Sequence, residues 1–404
     1  MPDTSLPSQR TTVLIVGGGL AGMTMAAILG RAGVDVTIID RAPRTNRSDA
    51  AFDGRTTAIA AGPQATLERA GIWPLVADEG SPILDIRIAD GKAPVFLHFD
   101  HREVGDRPFG HIIDNRLLRL AQFEVIDGLE TVTHQAPATL IDLNVDKTGC
   151  TAMLAEGGSI TANLVIGADG RGSLVREFAG IDTVSWPYDQ KALVFSVFHE
   201  LDHQGLALEH FKPGGPFAVL PLLDDEEGRH RSSVVWSERS SVADRLARLD
   251  DDRFNSALAE AMGDYLGTPT LAGRRFVYPL NVVHANAYVS ERVALINESA
   301  HGIHPIAGQG LNVGLRDVEL LADIVIEACG LGLDPGTYRL AEYGRRRRAD
   351  VLSMLAATDG LNRLFSTDFP PVQVARDVGL AIVGRVPPLK KFFMRRAMGV
   401  GPIG

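Results

Sequence analysis

The chain has 404 residues, 45% of them apolar and 22% charged, the balance of a globular protein with room for two substantial cores or one large α/β unit carrying an inserted lobe. A formal net charge of −10 excludes a whole-chain nucleic-acid binder, and Cys150 and Cys329 are too few for a disulfide framework or a cysteine-rich metal site. MPDTSLPSQR lacks the apolar core of a secretory signal and no apolar run reaches the ~18–20 residues of a membrane span, so a cytoplasmic setting with at most peripheral membrane contact is expected.

Residues 12–40 read as strand, glycine turn, helix and strand. TTVLIV is β-branched, LAGMTMAAILGRAG is rich in helix formers, and VDVTIID returns to the strand pattern, so a parallel βαβ unit is expected. Residues 56–79 read as mostly helical, and 83–100 as a hairpin around the DG turn. Residues 117–126 read as a helix. A small meander follows over 139–166, with turns at Asp146–Gly149 and Glu156–Gly158. From about 183 to 280 the texture is strand-like, in KALVFSVFHE, PFAVLPLL and SSVVWSE. Asp224, Asp225, Glu226 and Glu227 read as a solvated hairpin tip, since consecutive carboxylates do not converge on one ion. Residues 242–262 read as a helix, RVALIN as a buried strand, and GLNVGLRDVELLADIVIEA as a strong helix. The expected organisation is a nucleotide-binding unit from residues 10–80, 101–182 and 276–345. A sheet-rich substrate lobe comes from 81–100 and 183–275, and a C-terminal helical region from 346–404.

Three glycine-rich loops carry the chemistry. Gly17, Gly19 and Gly22 match G-x-G-x-x-G between two strands. The first glycine permits the tight turn, the second lets backbone approach a pyrophosphate, and the third lets helix and strand pack closely. Phosphate then faces the helix N-terminus, where free N–H groups favour an anion. Asp40 ends the next strand, where a carboxylate can accept ribose hydroxyls, and Arg41 adjoins it. Asp169 and Gly170 follow a second buried strand; taken alone, Asp169 could equally cap the next helix. Gly308 and Gly310 lead into a third helix N-terminus at Leu311 and Asn312, suited to negative charge on a flavin ring. One extended ligand gripped at several points accounts for all three, and FAD fits.

These segments resemble those of the single-FAD aromatic hydroxylases related to para-hydroxybenzoate hydroxylase. The resemblance implies an α/β fold: a Rossmann-like FAD-binding domain with an inserted β-sheet-rich substrate domain and a C-terminal helical tail. It implies ADP binding by the first loop, flavin and nicotinamide binding near the DG segment, and ribityl and flavin contacts by the third. Arg55 resembles the family's arginine near the flavin, and Arg116 the arginine that starts the helix beside the cofactor. RTTAIAAGPQATLERAGIWPLV, FVYPL, HPIAGQGLNVGLRDV and the tail TDGLNRLF…VGLAIVGRVPPLKKFFMRRAMG narrow the likeness to the ubiquinone-biosynthesis branch. That branch implies NADH or NADPH as transient reductant, O2 as co-substrate, and ring hydroxylation of a polyprenylated phenol. One departure stands out. Where the family has G-D-A-A-H, this chain has Asn297, Glu298, Ser299, Ala300 and His301. The usual Asp bonds a ribityl hydroxyl; Glu298 keeps the charge on a longer arm, and Asn297 removes a glycine, so a looser or shifted flavin is expected.

His301 and His304 lack the carboxylate or thiolate partners of a metal site, and none is expected; His304 is a weak candidate for a general base. Arg345–Arg348 reads as a solvated helix face or an ion-pair partner. In the tail, Val374, Val378, Leu380, Ile382, Val383, Leu389, Phe392, Phe393 and Met394 mix with Lys390, Lys391, Arg395 and Arg396. That pattern suits an anionic inner-membrane surface, a groove on another ubiquinone-biosynthesis protein, or a helix packed on the body. Two other functions remain open at this point. One is a flavoprotein oxidoreductase acting on another aromatic. The other is a non-catalytic subunit that binds lipid intermediates or partners through a degenerate flavin site.

Overall fold

Apolar runs too short to be helices pair side by side at the centre of the molecule. The structure is a computed structural model and describes residues 8–45, 55–91, 96–303, 308–365, 383 and 385–399. The opening strand, Ser8–Val16, lies between Val36–Ile39 and Ser159–Gly167 and runs parallel to both. Val293–Leu295 extends the parallel set beyond Ser159–Gly167, and Val132–Gln135 extends it beyond Val36–Ile39. Register sets Val16 beside Ile39 and Gly167, and Gly167 beside Leu295. Val13, Leu14 and Ile15 are wholly buried because helices cover the sheet. The helix Leu20–Arg31 returns the chain between the first two strands, as the βαβ reading requires, and packs on Asn115–Asp127 and Gln309–Gly330. Leu140–Val145 and Cys150–Leu154 form the expected meander, antiparallel, on Ser159–Gly167.

A second sheet has eight strands. Its centre is Thr183–His199, between Thr270–Ala285 and His230–Arg239. Gly215–Leu222 and Leu206–Lys212 continue it. The hairpin Asp85–Asp90 with Phe96–Asp100 joins by parallel pairing to Leu206–Lys212. At the other edge His301–Gly302 pairs with Val283 and His284, so the chain leaving the first sheet is stitched into the second. Phe195, Phe217, Val234 and Trp236 form the core under Ser240–Ala247 and Asp251–Met262, with Phe254 edge-on to Phe195. The acidic run lies at the turn between Gly215–Leu222 and His230–Arg239, where Arg229 pairs with Asp225 at 2.6 Å and Glu227 at 3.0 Å.

Two readings change. Residues 56–60 are a strand, Thr56–Ala60, paired with Gly110–Asp114 in a three-stranded sheet completed by Ser81–Ile83; the helix begins only at Ala61. TTAIA is β-prone, and a partner strand decides its state over the helix formers that follow. The helix expected over 242–262 is two, broken at Arg248–Asp250, where Asp250 accepts from the Arg253 N–H and starts the second. The C-terminal helices are Leu340–Phe365 and Pro387–Ala397; Val374, Val378, Leu380 and Ile382 lie outside the described residues. Among the described residues no helix is long and apolar enough to cross a membrane.

Candidate functional site

The parallel strands end in one row, so the loops that follow them emerge together. Gly17 has φ +112°, and a side chain there would overlap the Ala168 carbonyl, so the first loop lies directly on the DG loop. Gly22 is closed in the same way by the Gly17 carbonyl. Gly19 differs. Its backbone is extended, φ −78° and ψ 176°, and a Cβ there would have nothing within 4 Å. It also begins the helix Leu20–Arg31, whose N-terminus has no side-chain cap. Asp40 is buried and accepts from the Gly18 N–H at 2.7 Å and the Ala42 N–H at 2.9 Å. Its carboxylate therefore shapes the loop as well as standing where a ribose acceptor is expected. Arg41 beside it is exposed.

The DG loop is tied to residues 130 positions away. Asp169 accepts from the Leu174 and Val175 N–H groups at 2.8 and 3.2 Å, so it does cap the short helix Leu174–Phe178. Its other oxygen accepts from the Ser299 hydroxyl at 2.9 Å, and Ser299 Oγ in turn accepts from the Gly170 N–H at 3.0 Å. Arg176 donates to the Ser299 carbonyl at 2.9 Å and to the Arg171 carbonyl at 2.8 Å. Arg171 pairs with Glu298 at 2.9 Å and donates to Asn281 Oδ1. Glu298, expected to face a ribityl hydroxyl, thus shares a half-exposed ion pair on the rim of the cleft.

The third loop is clamped from the other side. Asn312, buried, accepts from the Ala60 N–H at 3.0 Å and donates to the Ala58 carbonyl at 2.8 Å, as a paired strand would. Gly308 begins the helix Gln309–Gly330 in the left-handed region, φ +62°, close against Ala58, and this helix too has no side-chain cap. A Cβ at Gly310 would meet nothing within 4 Å, and Leu311 packs against the main core. Asn297 has φ +52°, a conformation asparagine tolerates better than other non-glycine residues, and its side chain fills the notch left by Gly314.

Asp317, fully buried on the long helix, ties this region together. It accepts from the Asn297 N–H at 2.8 Å, His301 Nε2 at 2.6 Å and Arg347 Nε at 2.7 Å. Burial opposes its charge, but the charges and hydrogen bonds of His301 and Arg347 outweigh that and hold its carboxyl down at about 2. Arg347 also pairs with Asp350 at 2.6 Å. Within the basic run only Arg347 is buried, while Arg345, Arg346 and Arg348 are exposed. His301 is therefore engaged by a carboxylate; His304 lies outside the described residues.

Arg55 and Arg116 stand near one another in the chain path. The Arg55 carbonyl accepts from the Asn115 N–H at 3.1 Å, and its guanidinium lies 5.2 Å from the Tyr278 ring centre. Arg116 is in the first turn of Asn115–Asp127, its N–H bonded to Asp114 at 2.7 Å. The partners of Ser299, Arg171, Asn281, Gly314, Asp317 and Arg347 could not be read from motifs, because each lies distant in sequence.

The side chains of Asp40, Asp169 and Asn312 shape the loops, and Gly19, Gly170 and Gly310 leave open space beside them. Two uncapped helix N-termini and glycine backbone with room to approach are what a dinucleotide with an anionic ring system requires, and FAD fits these residues. A sequence profile described as the FAD binding domain matches residues 10–357. The ubiquinone hydroxylase UbiL of Rhodospirillum rubrum is 46% identical over 404 residues, which is 100% of this chain and 93% of that protein. The 3-demethoxyubiquinol 3-hydroxylase of Escherichia coli K12 is 33% identical over 98% of this chain and 100% of its own length. Among solved structures, p-nitrophenol 4-monooxygenase PnpA from Pseudomonas putida DLL-E4 shares the fold, with a TM-score of 0.79 at 20% identity over 98% of this chain and 100% of that one.

Two tests follow. Gly19→Val fits the existing backbone, so the variant is expected to melt like wild type while FAD affinity falls about 100-fold or more, because the side chain fills the open space through which the pyrophosphate would reach the backbone N–H groups. Gly22→Val is expected to lower the melting temperature itself. Fluorescence titration and thermal melts separate the two; unchanged FAD affinity in Gly19→Val would contradict the placement of the pyrophosphate. Asp317→Asn is expected to cost about 3–5 kcal/mol, because it leaves Arg347 and His301 buried beside a neutral amide. The folded carboxyl titrates below its unfolded value of ~3.9, so its stabilisation is present above that pH and lost as pH falls toward 2. Urea unfolding across that window should show a steep acid limb in wild type and a shallower one in the variant.

Proposed function

The chain belongs to the FAD binding domain family, and from that premise we propose that it is an FAD-dependent hydroxylase of a polyprenylated phenol in ubiquinone biosynthesis, using NAD(P)H and O2. Likeness over the whole length to a ubiquinone hydroxylase, in a chain whose described cofactor-loop residues brace one another, is the observation that carries this reading.

When bound, FAD supplies the redox chemistry, taking electrons from NAD(P)H and activating O2 for insertion of one oxygen atom into the ring. The chain's own residues position and shield. Backbone N–H groups at Gly19 and the start of Leu20–Arg31 hold the pyrophosphate, with Asp40 at the ribose. The N-terminus of Gln309–Gly330, held by Asn312, would offer the flavin end N–H groups that stabilise negative charge. Arg55, Arg116, Gly170 and Glu298 complete the rim. No side chain need act as a nucleophile. The cofactor unit comprises 10–80, 101–182 and 276–345, and the substrate ring sits between its loops and the sheet of 81–100 and 183–275. Thr56 Oγ1 bonds Ser233 Oγ at 2.7 Å across that junction, and Arg55 lies over Tyr278, which supports placing the ring there. The region 346–404 serves contacts with the membrane or with other enzymes of the same synthesis. Asn297 occupies a left-handed conformation that asparagine tolerates, its side chain against Gly314, which supports a working flavin loop over a degenerate one.

Deleting the gene in its host is expected to accumulate a quinone precursor lacking one ring hydroxyl, restored by wild type and not by Gly19→Val. Purified protein given NAD(P)H, the accumulated precursor and isotopically labelled O2 should place one labelled oxygen in the product. A colourless protein that takes up no FAD, or a deletion with an unchanged quinone profile, would refute the assignment.

A further inference from the structure

The tail helix Pro387–Ala397 presents two unlike faces. Met394 and Met398 are buried, one helical turn apart, against Ile83, Leu97, Phe99, Phe109 and Leu222. Lys390 reaches Glu103 at 2.6 Å, and the Met398 carbonyl accepts from the Gly62 N–H at 2.8 Å. A side chain at Gly62 would press on the Gly399 carbonyl, so backbone meets backbone there. The helix is thus seated firmly. On its outer face Phe392 is 58% exposed and Phe393 43%, their rings edge to face at 5.6 Å, with Val386 also exposed. Arg385, Lys391, Arg395 and Arg396 are exposed on the same segment, Arg396 also donating to Ser353 Oγ at 3.2 Å, and residues 385–399 contain no acidic side chain.

We propose that this face docks on an anionic lipid bilayer. Exposed aromatic rings with cations on the same segment, on a helix held rigidly from behind, match the apolar depth and negative surface of such a bilayer. The local charge runs against the −10 of the whole chain, so the attraction acts at short, screened range from the tail face. The proposal rests on the hydroxylase reading in one respect: a polyprenylated substrate resides in a bilayer. The seat also links the two sites. Gly62 lies two residues past Ala60, whose N–H is held by Asn312, so docking fixes the membrane face relative to the third cofactor loop.

The test is vesicle flotation of the FAD-loaded enzyme. Wild type is expected to float with phosphatidylglycerol–phosphatidylcholine vesicles and not with phosphatidylcholine alone, and to be released by salt. The pair Phe392→Ser and Phe393→Ser should lower partition about 10-fold or more. The pair Lys391→Glu and Arg395→Glu should abolish the preference for anionic lipid. Bound FAD and turnover of a short-chain, water-soluble phenol should be unchanged in both, so failure of docking and failure of the reaction are read separately. Flotation that is absent in wild type, indifferent to lipid charge, or equal in the serine variant overturns the proposal. So does a wild-type dimer in sedimentation that the serine variant dissociates, which would put a second copy of the chain on this face.

Discussion

The register of four parallel strands decides where everything else can be. Ile39, Val16, Gly167 and Leu295 stand side by side, and the chain leaves each of them at the same edge of the sheet. Parallel α/β sheets bind ligands outside the carboxyl ends of their strands, because the loops there converge and the helices that follow start there. Slipping one strand by a single residue would exchange the side chains packed against the two helix layers and carry Gly17 off the Ala168 carbonyl it touches. The buried Val13, Leu14 and Ile15 forbid that slip. Core packing thus aims the cofactor loops.

Once the loops meet, polar side chains hold them in shape. Ser299 bonds both Asp169 and Gly170, Asn312 imitates a strand edge for Ala58 and Ala60, and Asp317 gathers Asn297, His301 and Arg347. A buried charge cluster of this kind adds little net stability over apolar packing, since desolvation offsets much of the attraction, yet losing one member is costly. Its value here is positional. Each carboxylate has its oxygens directed at particular N–H or O–H groups, which ties the described loop residues to one another. The glycines beside them are left with open space, and the backbone is what meets a ligand. Side chains build the cradle and main chain lines it.

This division explains how much of the site could be read from sequence. Gly17, Gly19 and Gly22 are legible because a tight turn, a close approach and a close packing are local demands that only glycine meets. Ser299 and Asp317 are ordinary residues until residues 130 and 30 positions away are placed against them. Asp169 reads as a cofactor residue by motif, while its carboxylate is taken up by Leu174, Val175 and Ser299. The same limit governs the fold. The βαβ unit announces itself through periodicity, whereas Thr56–Ala60 is a strand because Gly110–Asp114 lies beside it, and Leu206–Lys212 because two strands flank it.

The Asn297–Glu298 departure is accommodated by the residues around it. Replacing a glycine that needs a left-handed backbone ordinarily costs strain and adds bulk where a ligand must approach. Here the bulk is turned inward. Gly314, one turn into the long helix, has no side chain, and the space it leaves is filled by the Asn297 amide. The Asn297 N–H meanwhile keeps its bond to Asp317, so the turn retains its anchor. Glu298 is longer than aspartate, and the added reach is used to meet Arg171, whose other contacts run to Asn281 in the second sheet. The two changes come with two accommodations, one in the helix and one across the sheets. The paired fit leaves the described residues around this stretch of chain joined without a clash or an unpaired charge at either change.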